Sequence, residues 1–81
     1  MTKQQLTEWV DTGRELDFEY QGNKYSITYY SDNRNDYISF CQYYQETLDV
    51  SSVDALWNST YKGIDLADML SSIPEDEVDI A

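Results

Sequence analysis

Carboxylates, phenols and one thiol are the side chains of this chain that could take part in chemistry. The 81 residues include sixteen Asp and Glu, eight Tyr and one Cys, and they include no His. Without imidazole the chain lacks the commonest general base near neutral pH, the Ser-His or Cys-His nucleophile and the commonest zinc ligand. Any catalysis would therefore depend on a carboxylate or on Cys41.

One row of carboxylates, Glu15, Asp17 and Glu19, has the spacing of a strand. Two carboxylates can divide acid and base roles if burial raises the pKa of one of them. Alternate residues of a strand share one face, however, and the residues between these acids, Leu16 and Phe18, belong in a core. The three acids therefore face water, and we interpret them as the protected edge of a sheet rather than as a catalytic pair.

Two further candidates for chemistry fail because of their neighbours. Residues 32–36 begin like an EF-hand loop, but Arg34 occupies a ligand position. Tyr37 and Tyr43 stand where that loop requires Gly and a bidentate Glu. Cys41 has no neighbouring cation in the sequence to lower the pKa of its thiol. We therefore predict no metal, no cofactor and no enzymatic activity.

The charge balance limits the partners and the compartment. A net charge of −11 makes binding to nucleic-acid phosphates or to an anionic membrane surface unfavourable. The chain begins with polar residues, and it contains no apolar run long enough to span a bilayer. Its single cysteine cannot form an internal disulfide, so we expect a cytoplasmic protein.

Strands are predicted where apolar and polar residues alternate. The runs 15–20 and 25–29 alternate on either side of a two-residue turn at Gly22 and Asn23. Pairing Tyr30 with Tyr37 across a polar loop adds residues 37–44 as a third antiparallel strand. The predicted buried pairs are Tyr20 with Tyr25, Phe18 with Ile27, Leu16 with Tyr29, Tyr29 with Ile38 and Ile27 with Phe40.

Helices are predicted where capping residues precede apolar stripes. Thr2 and Gln5 form a capping box, Ser51 or Ser52 can cap a second helix, and Asp65 can cap a third. We therefore predict an α+β fold in the order α-β-β-β-α-α, a small three-stranded antiparallel meander with the helices packed on one face. Residues 1–74 form a single globular domain, and residues 75–81 form an acidic tail that could dock as a short strand. The predicted core consists of Trp9, Leu16, Phe18, Ile27, Ile38, Phe40, Leu56, Trp57 and Leu70.

The face of the sheet opposite the core is the candidate partner surface. Tyrosine is favoured at interfaces because it offers a large contact area with a polar tip. Ordinary cross-strand packing of surface tyrosines is the alternative interpretation. The predicted contact residues are Tyr30, Tyr37, Tyr43, Tyr44, Glu15, Asp17 and Glu19.

The third predicted strand has an edge without charged residues. The seven residues 38–44 carry no charge, whereas the first strand is protected by its acids. An unprotected edge can accept another strand. We expect either residues 78–80 or a second molecule to cover it, so that the chain is a monomer or a weak homodimer through this edge.

Two functions are compatible with these residues. The first is a small acidic non-enzymatic protein-interaction module, which binds a protein partner and neither nucleic acid nor membrane. The second is a nucleic-acid mimic that inhibits a DNA-binding or nuclease protein by occupying its basic groove. An aromatic patch would favour the first function, whereas carboxylates spaced roughly 7 Å apart, like adjacent phosphates of a strand, would favour the second.

Overall fold

The computed structural model describes residues 1–31 and 35–81, which have an α+β architecture. Five strands form one antiparallel sheet in the order β4-β3-β2-β1-β7, and β5 and β6 form a separate small hairpin. Among the described residues, every helix is too short or too polar to span a bilayer. The elements are α1 (Lys3–Asp11), β1 (Leu16–Tyr20), β2 (Asn23–Ser31), β3 (Asp36–Gln42), β4 (Thr47–Val50), α2 (Val53–Trp57), β5 (Thr60–Tyr61), β6 (Ile64–Asp65), α3 (Leu66–Ser72), a 3-10 helix (Glu75–Glu77) and β7 (Asp79–Ile80).

The predicted α+β class is confirmed, but the predicted three-stranded meander has too few strands. β4 pairs with β3, β7 pairs with β1, and the β5-β6 hairpin separates α2 from α3. The four additional strands, β4 with four residues and β5, β6 and β7 with two each, are too short to establish a period in the sequence. The predicted order α-β-β-β-α-α therefore omits β4 and everything that follows α2 except α3.

The first hairpin turns one residue earlier than predicted. Its turn residues are Gln21, with φ of 51°, and Gly22, with φ of 83°, and a type I′ turn requires positive φ at both positions. The predicted register is therefore wrong by two residues. Side chains alternate with a period of two, so this shift leaves every residue on its predicted face. The observed pairs are Tyr20 with Asn23, Phe18 with Tyr25 and Leu16 with Ile27, and the predicted pairing of Tyr30 with Tyr37 is confirmed.

Each α-helix begins at a predicted cap. Thr2 Oγ1 accepts a hydrogen bond from the Gln5 N–H, and the Thr2 N–H donates to Gln5 Oε1. Ser52 and Asp65 accept backbone N–H bonds in the first turns of α2 and α3, so Ser52 rather than Ser51 caps α2. Caps of this kind each stabilise a fold by about 1 kcal/mol, which matters for helices this short.

The core lies between one face of the sheet and the three helices. Leu16, Phe18, Ile27, Ile38 and Phe40 are buried as predicted, together with Leu56 and Leu70. Trp9 and Trp57 pack at its margin and are only partly buried. Phe40 is fully buried, and its ring lies 5.7 Å from Tyr25 and 5.1 Å from Tyr61, a core residue that sequence reasoning missed.

The edge of β3 is covered by β4. Cys41 pairs with Thr47, and Ile38 pairs with Val50. The expectation that residues 78–80 or a second molecule would cover residues 38–44 is therefore wrong. The C-terminal residues lie at the opposite edge of the sheet, where β7 pairs with β1.

Candidate functional site

The outer face is the sheet face directed away from the core. The buried apolar side chains of β1, β2 and β3 all point to the other face, where they form one cluster with the buried residues of the helices. Alternation and strand pairing place all the predicted contact residues on the outer face except Tyr44. The outer face consists of Glu15, Asp17, Glu19, Lys24, Ser26, Thr28, Tyr30, Tyr37, Ser39, Cys41, Tyr43, Thr47, Asp49 and Asp79.

A hydrogen bond joins the acidic strand to the tyrosines. The Tyr43 hydroxyl donates to Asp17 Oδ1 at 2.6 Å, across the intervening strand β2. This bond to the carboxylate favours the neutral phenol, and it is the main reason why the pKa of Tyr43 is raised. The two predicted groups of contact residues, acidic and aromatic, therefore meet at one place.

An open concavity of about 670 Å³ lies next to this hydrogen bond, at the end of the sheet where β1 turns into β2. The 3-10 helix and β7 bring two further acids to its rim. Its charged lining residues are Asp17, Glu19, Lys24, Glu77 and Asp79, and its aromatic lining residues are Phe18 and Tyr43.

These acids do not form a metal site. Within residues 1–31 and 35–81, no group of three or more His, Cys, Asp or Glu side chains could hold a metal ion. The segment 32–36, considered above for calcium, includes residues 32–34, which lie outside the described residues.

Tyr44 lies at the turn between β3 and β4 and is almost completely exposed. Its exposed fraction is 99%, and its φ of 65° lies in the left-handed region that side chains other than Gly rarely adopt. The turn is closed by the Gln45 N–H, which donates to the Gln42 carbonyl oxygen at 3.0 Å. The Tyr44 ring stands edge-on to Tyr43, with 6.1 Å between the ring centroids. Its side chain therefore adds almost nothing to the burial that stabilises the fold.

A second tyrosine pair lies at the other end of β3. The rings of Tyr30 and Tyr37 stack with 5.1 Å between their centroids, and Tyr30 is 49% exposed. Tyr37 and Tyr43 are six positions apart, which corresponds to roughly 20 Å along an extended chain. Two aromatic pairs therefore stand at opposite ends of the outer face.

Short side chains form the centre of the outer face. Ser26 Oγ lies 3.3 Å from Cys41 Sγ, and Thr28 pairs with Ser39 on the neighbouring strand. Ser39 is only 8% exposed, because its neighbours on the sheet shield it. The side chains at the centre therefore project less far from the sheet than the tyrosine rings at its two ends. Cys41 is a free thiol within this central area.

Sequence reasoning missed three residues of the site, Lys24, Glu77 and Asp79. Lys24 could have been found, because it directly precedes Tyr25, the first residue of the second predicted strand, and alternation then places it on the outer face. The position of Asp79 depends on its pairing with Asp17, and the only signal for that pairing was the alternation of Val78 and Ile80.

Comparisons of the chain with protein-family models, with curated proteins and with solved structures gave no match. The chemistry of the outer face and its surroundings is therefore the feature of this chain that indicates a function.

Proposed function

We propose that this chain is a small acidic non-enzymatic protein-interaction module, which binds a protein partner through the outer face and the adjoining Tyr44 turn. The observation that carries the proposal is Tyr44, which is 99% exposed and has a left-handed backbone. A side chain in that position neither fills the core nor relieves backbone strain. Exposed aromatic residues with a polar tip are enriched in protein interfaces, and binding would bury the ring that folding leaves in water.

The dimensions of the outer face support a compact contact. Five strands spaced about 4.8 Å apart give a width of roughly 19 Å, and the two tyrosine pairs are roughly 20 Å apart along β3. Standard protein interfaces bury about 800 Å² on each partner, which is more than this face offers as a flat area. The size is appropriate for a single segment of a partner rather than for a large domain interface.

The composition of the outer face supports binding rather than catalysis. The chain contains no histidine, so its polar groups are carboxylates, hydroxyls, amides, a few cations and one thiol. Cys41, the one strong nucleophile on this face, lies against Ser26 rather than beside a cation that would activate it. Two stacked or edge-on tyrosine pairs frame these groups, as expected of a contact surface.

Site-specific photo-cross-linking in the source cells tests this proposal. One variant carries p-benzoylphenylalanine in place of Tyr44 and a second carries it in place of Tyr30, because both are exposed on the proposed surface. A control carries it in place of Glu8, which is exposed on α1 at the helical side. We expect the variants at positions 44 and 30 to form an adduct with the same protein. The control variant at position 8 should not form that adduct. Adducts from position 8 alone, or from none of the three, would contradict the proposal.

A nucleic-acid mimic is the second candidate, and one observation favours it. Glu15, Asp17 and Glu19 form a row on the outer face with a spacing of roughly 6.6 Å along β1. Adjacent phosphates of a nucleic-acid strand are roughly 7 Å apart. The row covers only three phosphate positions, however, and the tyrosines have no role in such a mimic.

A competition experiment distinguishes the two candidates. The cross-linked partner is purified, and its binding to duplex DNA is measured with and without the chain. A mimic would displace the DNA, and Gln or Asn at positions 15, 17 and 19 would abolish the displacement. A partner that does not bind DNA, or that binds DNA and the chain together, would favour the interaction module.

A further inference from the structure

We propose that the partner segment bound by the outer face is basic, and that one of its arginine side chains enters the concavity beside Asp17 and contacts the Tyr43–Tyr44 pair. This inference rests on the proposed function, and it adds the chemistry of the partner. It follows from the charges of the outer face, the position of two opposed carboxylates, the Tyr43 ring bonded to one of them and the Tyr44 ring beside that of Tyr43.

The outer face is strongly negative. Among the described residues it carries five carboxylates and one cation, Lys24, and Glu77 adds a further carboxylate at the rim of the concavity. The one salt bridge of the described residues, between Lys3 and Asp54, lies on the helical side of the molecule. The carboxylates of the outer face are therefore available to cations of a partner.

Two of these carboxylates face each other directly. Asp17 and Asp79 are cross-strand partners on β1 and β7, and like charges in that position repel. Neither has a salt-bridge partner among residues 1–31 and 35–81. A cation bound between them would remove the repulsion, so binding energy is available where the described residues provide no counter-ion for the two carboxylates.

The neighbouring rings favour arginine over lysine. The hydrogen bond from Tyr43 to Asp17 holds a phenol ring next to a carboxylate, and the Tyr44 ring stands at 87° to that of Tyr43. A guanidinium group is planar, can bond a carboxylate with two N–H groups and stacks on aromatic rings. An ammonium group satisfies the charge alone, because it has no planar surface to stack.

Charge complementarity also argues against three other occupants of the outer face: a second copy of the chain, a nucleic acid and an anionic membrane. A second copy of the chain would bring its own carboxylates and a net charge of −11 against the same surface. A nucleic acid or an anionic membrane would meet the same repulsion. A basic protein segment is the occupant whose charge opposes that of the face.

Peptide binding tests this inference with defined probes, a nona-arginine and a nona-lysine peptide, by fluorescence polarisation at 150 mM NaCl. The outer-face variant is D17N/E19Q/D79N. The matched control is E8Q/D11N/D68N, which neutralises three exposed acids of α1 and α3 and changes the net charge equally. Circular dichroism verifies that both fold.

The expected results separate a specific site from bulk charge. We expect the wild-type chain to bind nona-arginine more tightly than nona-lysine. Loss of three charge contacts, two exposed and one half-buried at Asp17, predicts a decrease in nona-arginine affinity of about tenfold in the outer-face variant and about twofold or less in the control. Equal losses in the two variants would mean that net charge alone governs binding, and would overturn the inference.

Two single tyrosine substitutions test the proposed contact with arginine. Tyr44→Ser should abolish the preference for nona-arginine over nona-lysine, whereas Tyr30→Ser, at the far end of the outer face, should leave it unchanged. A wild-type chain without that preference, or an equal effect of the two substitutions, would overturn the arginine contact.

The two proposals can fail separately. If position 44 captures a partner in cells and the outer-face variant captures it equally well, the basic partner is wrong and the interaction surface stands. If the peptides behave as expected and neither position 44 nor position 30 captures a protein, the proposed function is wrong, and the inference loses its biological partner.

Discussion

Tyr43 and Asp17 are 26 positions apart in the chain, and a 2.6 Å hydrogen bond from the phenol to the carboxylate joins them on the outer face. Tyr43 follows β3 and Asp17 belongs to β1, so the bond passes over β2, the strand between them. It fixes a ring beside a carboxylate at the edge of the concavity. The proposed arginine contact depends on this arrangement. The ionisation of the Tyr43 phenol can be titrated, and it reports directly on whether the hydrogen bond is present.

The raised pKa of Tyr43 predicts how alkaline pH affects this bond. The neutral phenol is favoured in the folded state, so the pKa of Tyr43 is higher when the chain is folded than when it is unfolded. The stability contributed by the bond is therefore fully present below the unfolded pKa of about 10 and is lost as the pH rises through the folded pKa. We expect Asp17→Ala to lower the pKa of Tyr43, as measured by absorbance at 295 nm during an alkaline titration.

The control for this titration is Asp49→Ala, because Asp49 lies on β4 at the other side of the outer face. Burial, with a smaller effect of Tyr61, also raises the pKa of Tyr25, so a late-ionising phenol remains in every variant. Identical titrations of the wild-type chain and Asp17→Ala would show that the bond is absent in solution.

Phe40 provides the sharpest test of the core. Its side chain is fully buried between Tyr25, Phe18 and Tyr61. We expect Phe40→Ala to lower the free energy of unfolding by about 3 kcal/mol or more in urea denaturation, through lost burial and the cavity that remains. Phe40→Leu keeps most of the volume and should cost about 1 kcal/mol. Equal effects of the two substitutions would contradict the packing at this position.

Much of the fold could be predicted because local signals and burial agreed. Capping residues identified the beginnings of three helices, and alternation assigned Phe18 and Phe40 to the core and Glu19 and Tyr43 to the other face. The face assignment was correct although the hairpin register was wrong, because the error was an even number of residues.

The remaining features depend on tertiary contacts that short segments do not show. β4 offers only Leu48 and Val50 as apolar residues, and it is a strand because they pair with Phe40 and Ile38. β7 has two residues and is ordered by its pairing with β1. The concavity combines β1 with the residues around β7, so its acidic rim could not be predicted without the position of the C-terminal residues.

The C-terminal residues should contribute to stability through Val78. Val78 is 7% exposed within the core cluster, whereas Ile80 is 37% exposed at the edge of the sheet. We expect Val78→Ala to lower the free energy of unfolding by about 1–2 kcal/mol, because it removes two buried methyl-sized groups. Ile80→Ala should have a smaller effect. Urea denaturation measures both. A larger effect of Ile80→Ala would contradict the docking of this segment.

Tyr44 should separate stability from binding. A side chain in the left-handed region strains the backbone by about 1–2 kcal/mol, which Gly relieves, although Gly also has an entropic cost of about 0.5–1 kcal/mol. We therefore expect Tyr44→Gly to be more stable than Tyr44→Ala by about 0.5 kcal/mol in urea denaturation. Both substitutions remove the ring and should weaken nona-arginine binding equally. A Tyr44→Gly chain that is less stable than Tyr44→Ala would contradict the backbone conformation, and undiminished binding in both would show that the exposed ring contributes nothing to recognition.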